Sequence, residues 1–137
     1  MSSGFDLTEG SVLRIIEKAD QRFSDLVTTQ TVNAVTGDLY LKTLVPGERI
    51  SGVAYVDCLA GTTDLVQTLI TFIAYNDSGT LLIGQQAATQ INAGPNGAEI
   101  QAAVNIVLYD HGGGILAFDV TGADTYTLNW RGFIGAQ

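Results

Sequence analysis

The one histidine of the chain stands in His111-Gly112-Gly113-Gly114, a run in which glycines would let main-chain N–H groups reach a substrate oxyanion. That chemistry also needs a Gly-x-Ser-x-Gly nucleophile elbow and a histidine base of its own, and the sequence holds neither. The run therefore reads as a glycine-rich turn between two strands. The same stretch spells Gly112-x-Gly114-x-x-Ala117, an echo of a dinucleotide-binding fingerprint. That fingerprint requires a following helix to receive the pyrophosphate, whereas Ile115 to Thr121 alternates like a strand. Lys18 and Lys42 lie in no phosphate-loop context. Cys58 and His111 are the only Cys and His, too few for a zinc site, which takes three or four such ligands. They form a nucleophile pair only if the fold brings them together, and Cys58 ends an apolar run where a free cysteine packs as a small hydrophobe. Asp57, Asp64 and Asp77 are the candidates for a calcium site, although no EF-hand spacing supports one. Paired carboxylates for glycoside hydrolysis have no obvious members. The aromatic residues Tyr40, Tyr55, Tyr75, Tyr109 and Trp130 could stack on sugars if exposed, with core burial the commoner fate.

The elements that would position these groups follow from periodicity. Residues from about Gly10 to Leu26 read as an amphipathic helix, with Val12, Ile16, Ala19, Phe23 and Leu26 on one face. Thr8 can cap it and Glu9 suits the positive end of its dipole. This predicted helix carries Arg14, Lys18 and Arg22, three of the six basic residues. Beyond Val27 the period changes to two. Strands are expected over 28–36, 38–45, 50–58, 66–76, 80–87, 98–109, 115–121 and 124–134, about eight in all. Pro46-Gly47 fits a type II turn, Asn76 to Gly79 a hairpin, and Asn92 to Gly97 a longer loop. With no helical pattern between them, the strands must pair largely antiparallel. Leu69 to Tyr75 and Ile106 to Tyr109 are apolar on both faces, and in an antiparallel sandwich the second face needs a cover. A sister subunit, or the N-terminal helix for one of them, could supply it.

Composition narrows the function classes. A chain of 137 residues suffices for one domain with its own core, here a segment 1–27 bearing the helix and a β domain 28–137. A single cysteine rules out an intramolecular disulfide. The net charge is −8, and from Ile50 onward the only base is Arg131. Such a surface repels phosphate backbones and anionic membranes, so neither nucleic acid nor a membrane is an expected partner. No window approaches the roughly 18 apolar residues of a membrane span. The opening residues lack the basic and apolar regions of a signal peptide, so synthesis in a cytoplasm is expected. Charged residues make up only 15% of the chain against a usual share of about 25%. Charges are depleted from interface cores, so this composition points to a homo-oligomer, with a neutral-surfaced monomer as the plain alternative.

Gly52-Val53-Ala54-Tyr55-Val56-Asp57 superficially resembles the substrate loop of trimeric dUTP pyrophosphatases, but their cationic phosphate motifs have no match here, and three phosphates cannot be held by almost no cations. Leu44-Val45-Pro46-Gly47-Glu48, the apolar strands after it and the closing Thr125-Tyr126-Thr127-Leu128-Asn129-Trp130 resemble, as a pattern, small jelly-roll sandwiches of the C1q and tumour-necrosis-factor type. Similar domains serve as capsid-decoration, head-fibre and tail-fibre modules of bacteriophages. The resemblance implies an all-β antiparallel sandwich of about eight strands with one N-terminal helix. It also implies a non-enzymatic virion protein, a trimer in contact with other capsid or tail proteins. It transfers no catalytic, cofactor or metal residues. A carbohydrate-binding module on the same scaffold is the second reading, and an unrecognised enzyme the third.

Overall fold

A computed structural model describes residues 24–136. They form two antiparallel sheets and one short helix. The strands are β1 (Val27–Val32), β2 (Thr36–Thr43), β3 (Arg49–Ala60), β4 (Asp64–Asp77), β5 (Thr80–Gln85), β6 (Thr89–Ala93), β7 (Asn105–Gly112), β8 (Ile115–Thr121) and β9 (Thr127–Ala136). Helix α1 (Gly97–Ala103) lies between β6 and β7. The larger sheet runs β1-β9-β3-β4-β5, with β6 pairing with the first half of β4 (Leu65–Leu69) and β5 with its second half (Phe72–Asp77). The smaller runs β2-β8-β7.

Period-two alternation builds the core. In β4 every second residue from Val66 to Asn76 is buried, while Thr71, Ile73 and Tyr75 between them are exposed. Ala54, Val56 and Cys58 of β3, and Leu128, Trp130 and Ile134 of β9, turn the same way. The smaller sheet contributes Leu39 and Leu41 of β2, Leu108 of β7, and Leu116, Phe118 and Val120 of β8 to the same buried cluster. A methyl group on Gly132 of β9 would lie 3.3 Å from the ring of Phe118 and 3.5 Å from Leu39, so the two sheets meet closely there. The Trp130 indole N–H is not stranded in this core, because it donates to Thr31 Oγ1 at 2.8 Å.

Several turns fold as their residues require. Gly47 has φ +88° and Glu48 N–H donates to Val45 O, a type II turn with Pro46 in its second position. Ser78 and Gly79 both have positive φ and join Asp77 to Thr80 in a two-residue hairpin. Asn76 ties this hairpin to the β2–β3 connection, donating to Leu44 O at 2.7 Å and accepting from Gly79 N–H at 2.6 Å.

The structure corrects three expectations. The described helix is not N-terminal. The predicted helix over Gly10 to Leu26 lies outside the described residues except at its end, where Ser24 to Leu26 are not helical. Ser24 instead is buried, and its Oγ accepts from Ile134 N–H at 2.9 Å. Second, the strand expected over 98–109 is α1 followed by β7. Ile100, Ala102 and Val104 alternate by coincidence, whereas Ala98, Glu99, Gln101, Ala102 and Ala103 are good helix formers. Third, the loop expected over Asn92 to Gly97 starts later, because Asn92 and Ala93 close a strand, β6 (Thr89–Ala93), that no expected strand covers and that is held by Leu65–Leu69 of β4, which makes nine strands rather than eight.

Candidate functional site

The described residues turn two sheet faces outward. On the larger sheet, pairing places Asn129, Leu59, Leu65 and Ala93 in one row across β9, β3, β4 and β6. The next rows read Arg131, Asp57, Gln67 and Ile91, and then Phe133, Tyr55, Leu69 and Thr89. Further along β4, Ile73 faces Gly84, and Tyr75 faces Leu82 of β5. Ile73, Leu82 and Ile91 are 58%, 55% and 63% exposed. Leu59, Leu65 and Tyr75 are also exposed. This is the second face of the run Leu69 to Tyr75, and among the described residues it has no cover.

Charge on this face is balanced. Arg131 Nε lies 2.9 and 3.1 Å from the two carboxylate oxygens of Asp57 at its centre. Arg49 stands at one end beside Tyr75, not far from Asp77. Two of the three bases among the described residues are therefore here. Tyr55 and Phe133 stack at 4.8 Å with an interplanar angle of 18°, forming a flat aromatic plate next to the ion pair. Leu26 borders the same plate across a shallow hollow.

The smaller sheet turns out Asp38 and Tyr40 of β2, Ala117 and Asp119 of β8, and Val107 and Tyr109 of β7. His111 joins them, its ring 4.5 Å from that of Tyr40 and 5.9 Å from that of Tyr109. The Tyr109 hydroxyl donates to Asp38 Oδ1 at 2.7 Å, so its oxygen accepts from His111 Nδ1 at 2.8 Å. Burial, then the hydrogen bond to Asp38 and the charges of Asp38 and Asp119, hold the Tyr109 phenol above its ordinary range.

Not every group singled out in the sequence reaches these faces. Gly113 and Gly114 make the β7–β8 turn with φ +65° and +79°, and a methyl group on Gly114 would come 2.5 Å from Leu44 O. His111-Gly112-Gly113-Gly114 is thus a turn that only glycine can close. Cys58 is buried between the sheets while His111 lies on an outer face, so the two do not meet. Burial pushes the Cys58 thiol up to about 12, with the Asp57 charge adding to it. Asp57, Asp64 and Asp77 do not converge either. Asp57 pairs with Arg131, and Asp77 ends β4. Asp64 is buried, accepting from Asn96 N–H at 2.8 Å and from Thr63 Oγ1 at 3.2 Å. Among the described residues, no three Cys, His, Asp or Glu side chains gather as metal ligands. Of the five candidate aromatics, Trp130 is core, Tyr55 and Tyr109 are half-buried, and Tyr75 and Tyr40 are exposed.

The sequence had pointed to the uncovered side of Leu69 to Tyr75. It had not pointed to the Tyr40, His111, Tyr109 and Asp38 cluster. Those residues lie 71 positions apart at the extremes of the Tyr109–Asp38 bond, and only the pairing of β2 and β7 on β8 joins them. No helix among the described residues is long and apolar enough to cross a membrane. No protein-family model matches the chain, and no curated protein matches it. Among solved structures it is similar to the tailspike protein of Acinetobacter phage vB_ApiP_P1, at 14% identity and a TM-score of 0.39 over 84% of this chain. The match covers 20% of the tailspike, so the chain spans about a fifth of that protein's length.

Proposed function

We propose that the chain is a non-enzymatic structural module of a bacteriophage virion, of the capsid-decoration, head-fibre or tail-fibre kind. It acts as a homo-oligomer, with three copies the expected number, on a jelly-roll-like sandwich scaffold. The carrying observation is the outward face of the larger sheet. Ile73, Leu82, Ile91, Leu59, Leu65 and Tyr75 are all exposed on it, and monomers rarely leave this many large apolar side chains open on one face. Five strands at about 4.8 Å spacing, along the length of β4, make a face of about 20 by 40 Å. That is close to the roughly 800 Å² that each partner gives to a standard protein contact.

Electrostatics favours a second copy as the occupant. A chain of net charge −8 repels itself over most of its surface. On this face Arg131 and Arg49 offset Asp57 and Asp77, so two copies can meet here without bringing acids together. The low overall charge and the apolar second side of β4 then have one common cause.

Light scattering coupled to size exclusion tests the proposal, on the full chain and on Ile73→Lys and Leu65→Lys variants. Both side chains are exposed, so the substitutions leave the core intact. The full chain should run as an oligomer and each variant as a monomer at micromolar concentration. A monomeric full chain, or lysine variants that assemble unchanged, would overturn the reading.

A further inference from the structure

The edge of a β-sheet leaves a row of backbone N–H and C=O groups without strand partners. Proteins close such edges with charge, proline, a bulge or a covering element. The edge strands here are β1, β2, β5, β6 and β7, and all but β6 are closed in one of these ways. β2 carries Asp38 and Lys42 and shifts register between Tyr40 and Lys42. β7 is covered by the Gln85 amide, which donates to Leu108 O at 3.0 Å and accepts from Leu108 N–H at 3.2 Å. β5 receives the converse cover, since its Leu81 N–H donates to Asp110 Oδ2 of β7 at 3.2 Å. β1 has β2 beside it, where a methyl group on Gly37 would lie 3.4 and 3.6 Å from the side chains of Thr31 and Thr29.

β6 has none of these devices. It pairs with β4 in unbroken register along one edge, and no strand among the described residues takes the other. It contains no proline, and no charged residue occurs anywhere from Thr80 to Ala98. Thr89, Ile91, Asn92 and Ala93 are exposed. Beside it, α1 turns out Ala98, Glu99, Ala102 and Ala103, so three of its four exposed side chains are methyl groups that leave room for a neighbour.

We propose that β6 is the edge at which two copies of the chain join, strand against strand, into one continuous antiparallel sheet. A two-fold axis through Ile91 sets Ile91 opposite its own mate, Gln90 opposite Asn92, and Thr89 opposite Ala93. Cross-strand neighbours are then apolar against apolar and amide against amide, with no like charges opposed. Symmetric self-pairing of this kind is the commonest way for soluble chains to associate. Copies of net charge −8 repel each other over most of their surface, and this stretch of edge brings no acids together. A foreign extended segment is the poorer occupant, because charge complementarity is what selects a partner and this edge offers none. The inference rests on the proposed assembly of copies but uses different atoms, the backbone of β6 rather than the side chains of the sheet face. Ile91 belongs to both, so the edge continues the proposed contact.

Amide hydrogen exchange on the full chain, assembled and then diluted until it dissociates, tests this. The β6 amides that point away from β4 should exchange about tenfold more slowly in the assembled chain, because only strand pairing gives them a hydrogen-bond acceptor. In a Cys58→Ala background, Ile91→Cys should link to its own mate through a short bifunctional maleimide, since directly opposite Cβ atoms lie about 5 Å apart. A chain that is an oligomer by light scattering, yet shows equal exchange of segment 88–93 in both states and no link at residue 91, would overturn the edge pairing alone. Protection of that segment only when another protein is added would overturn it too. A chain that is monomeric throughout would overturn both the edge pairing and the contact over the sheet face. An Ile73→Lys chain that still assembles with β6 protected would support the edge pairing and remove the face contact.

Discussion

Cys58 shows how one burial decides a residue's chemistry. It sits between Val56 and Ala60 on the inward side of β3, 1% exposed, with its thiol pushed up to about 12. A thiolate is the reactive form, so the native protein should resist thiol reagents at pH 8 and react only as it unfolds. The raised value also has a stability consequence. Below pH 9 the thiol is neutral in both folded and unfolded chains and contributes nothing. Above it the unfolded chain ionises first, and the folded state should lose about 1.4 kcal/mol per pH unit until about 12. Urea midpoints between pH 8 and pH 10.5 should therefore fall more steeply for the natural chain than for Cys58→Ala. Parallel slopes would show that the buried thiol is not the group responsible.

Asp64 plays its part at the scale of elements. It follows the turn that joins β3 to β4, and its carboxylate receives Asn96 N–H just ahead of α1, so it anchors a helix to a hairpin. That N–H donor holds its carboxyl below the usual range, more than burial raises it. Such a group stabilises the fold above the ordinary carboxylate value of about 3.9, and the contribution is lost as pH falls through the depressed folded value. Asp64→Asn should flatten the acid limb of the stability curve, measured as urea midpoints from pH 6 down to pH 2.5. Equal limbs would place the acid sensitivity elsewhere. The same neighbourhood marks where sequence periodicity stopped being legible. β3, β4, β8 and β9 could be read because one side meets the core, and Pro46-Gly47 and Ser78-Gly79 could be read because their backbones need those residues. From Thr89 to Ala103 the signal fails for two physical reasons. β6 is a strand by virtue of its hydrogen bonds to Leu65–Leu69, with four of its five side chains exposed, so its residue types carry no alternation. α1 is about two turns long and its only large buried side chain is Ile100, too little for a helical period to show against a chance alternation. The Tyr40 and His111 cluster was hidden for a related reason, because no local pattern links β2 to β7 across β8.

At the scale of the whole molecule, the sign of the salt effect separates two kinds of assembly. A contact held by ion pairs weakens as salt screens them, with the Debye length falling from about 10 Å at 0.1 M to about 3 Å at 1 M. The outward face of the larger sheet is different. Its ion pair, Asp57 with Arg131, is already made within one chain, and Arg131 is 59% exposed, so it contributes little by itself. The side chains around it include Leu59, Leu65, Ile91, Tyr55 and Phe133, and what opposes association is the net charge of −8 on each copy. Screening removes that repulsion and leaves the burial of Ile73, Leu82 and Ile91 untouched. Assembly should therefore tighten as sodium chloride rises from 50 to 500 mM, read as a falling dissociation constant in sedimentation equilibrium. Dissociation on adding salt would mean that acids and bases of different copies hold the assembly together, and the contact would then have to be sought on a face other than this one.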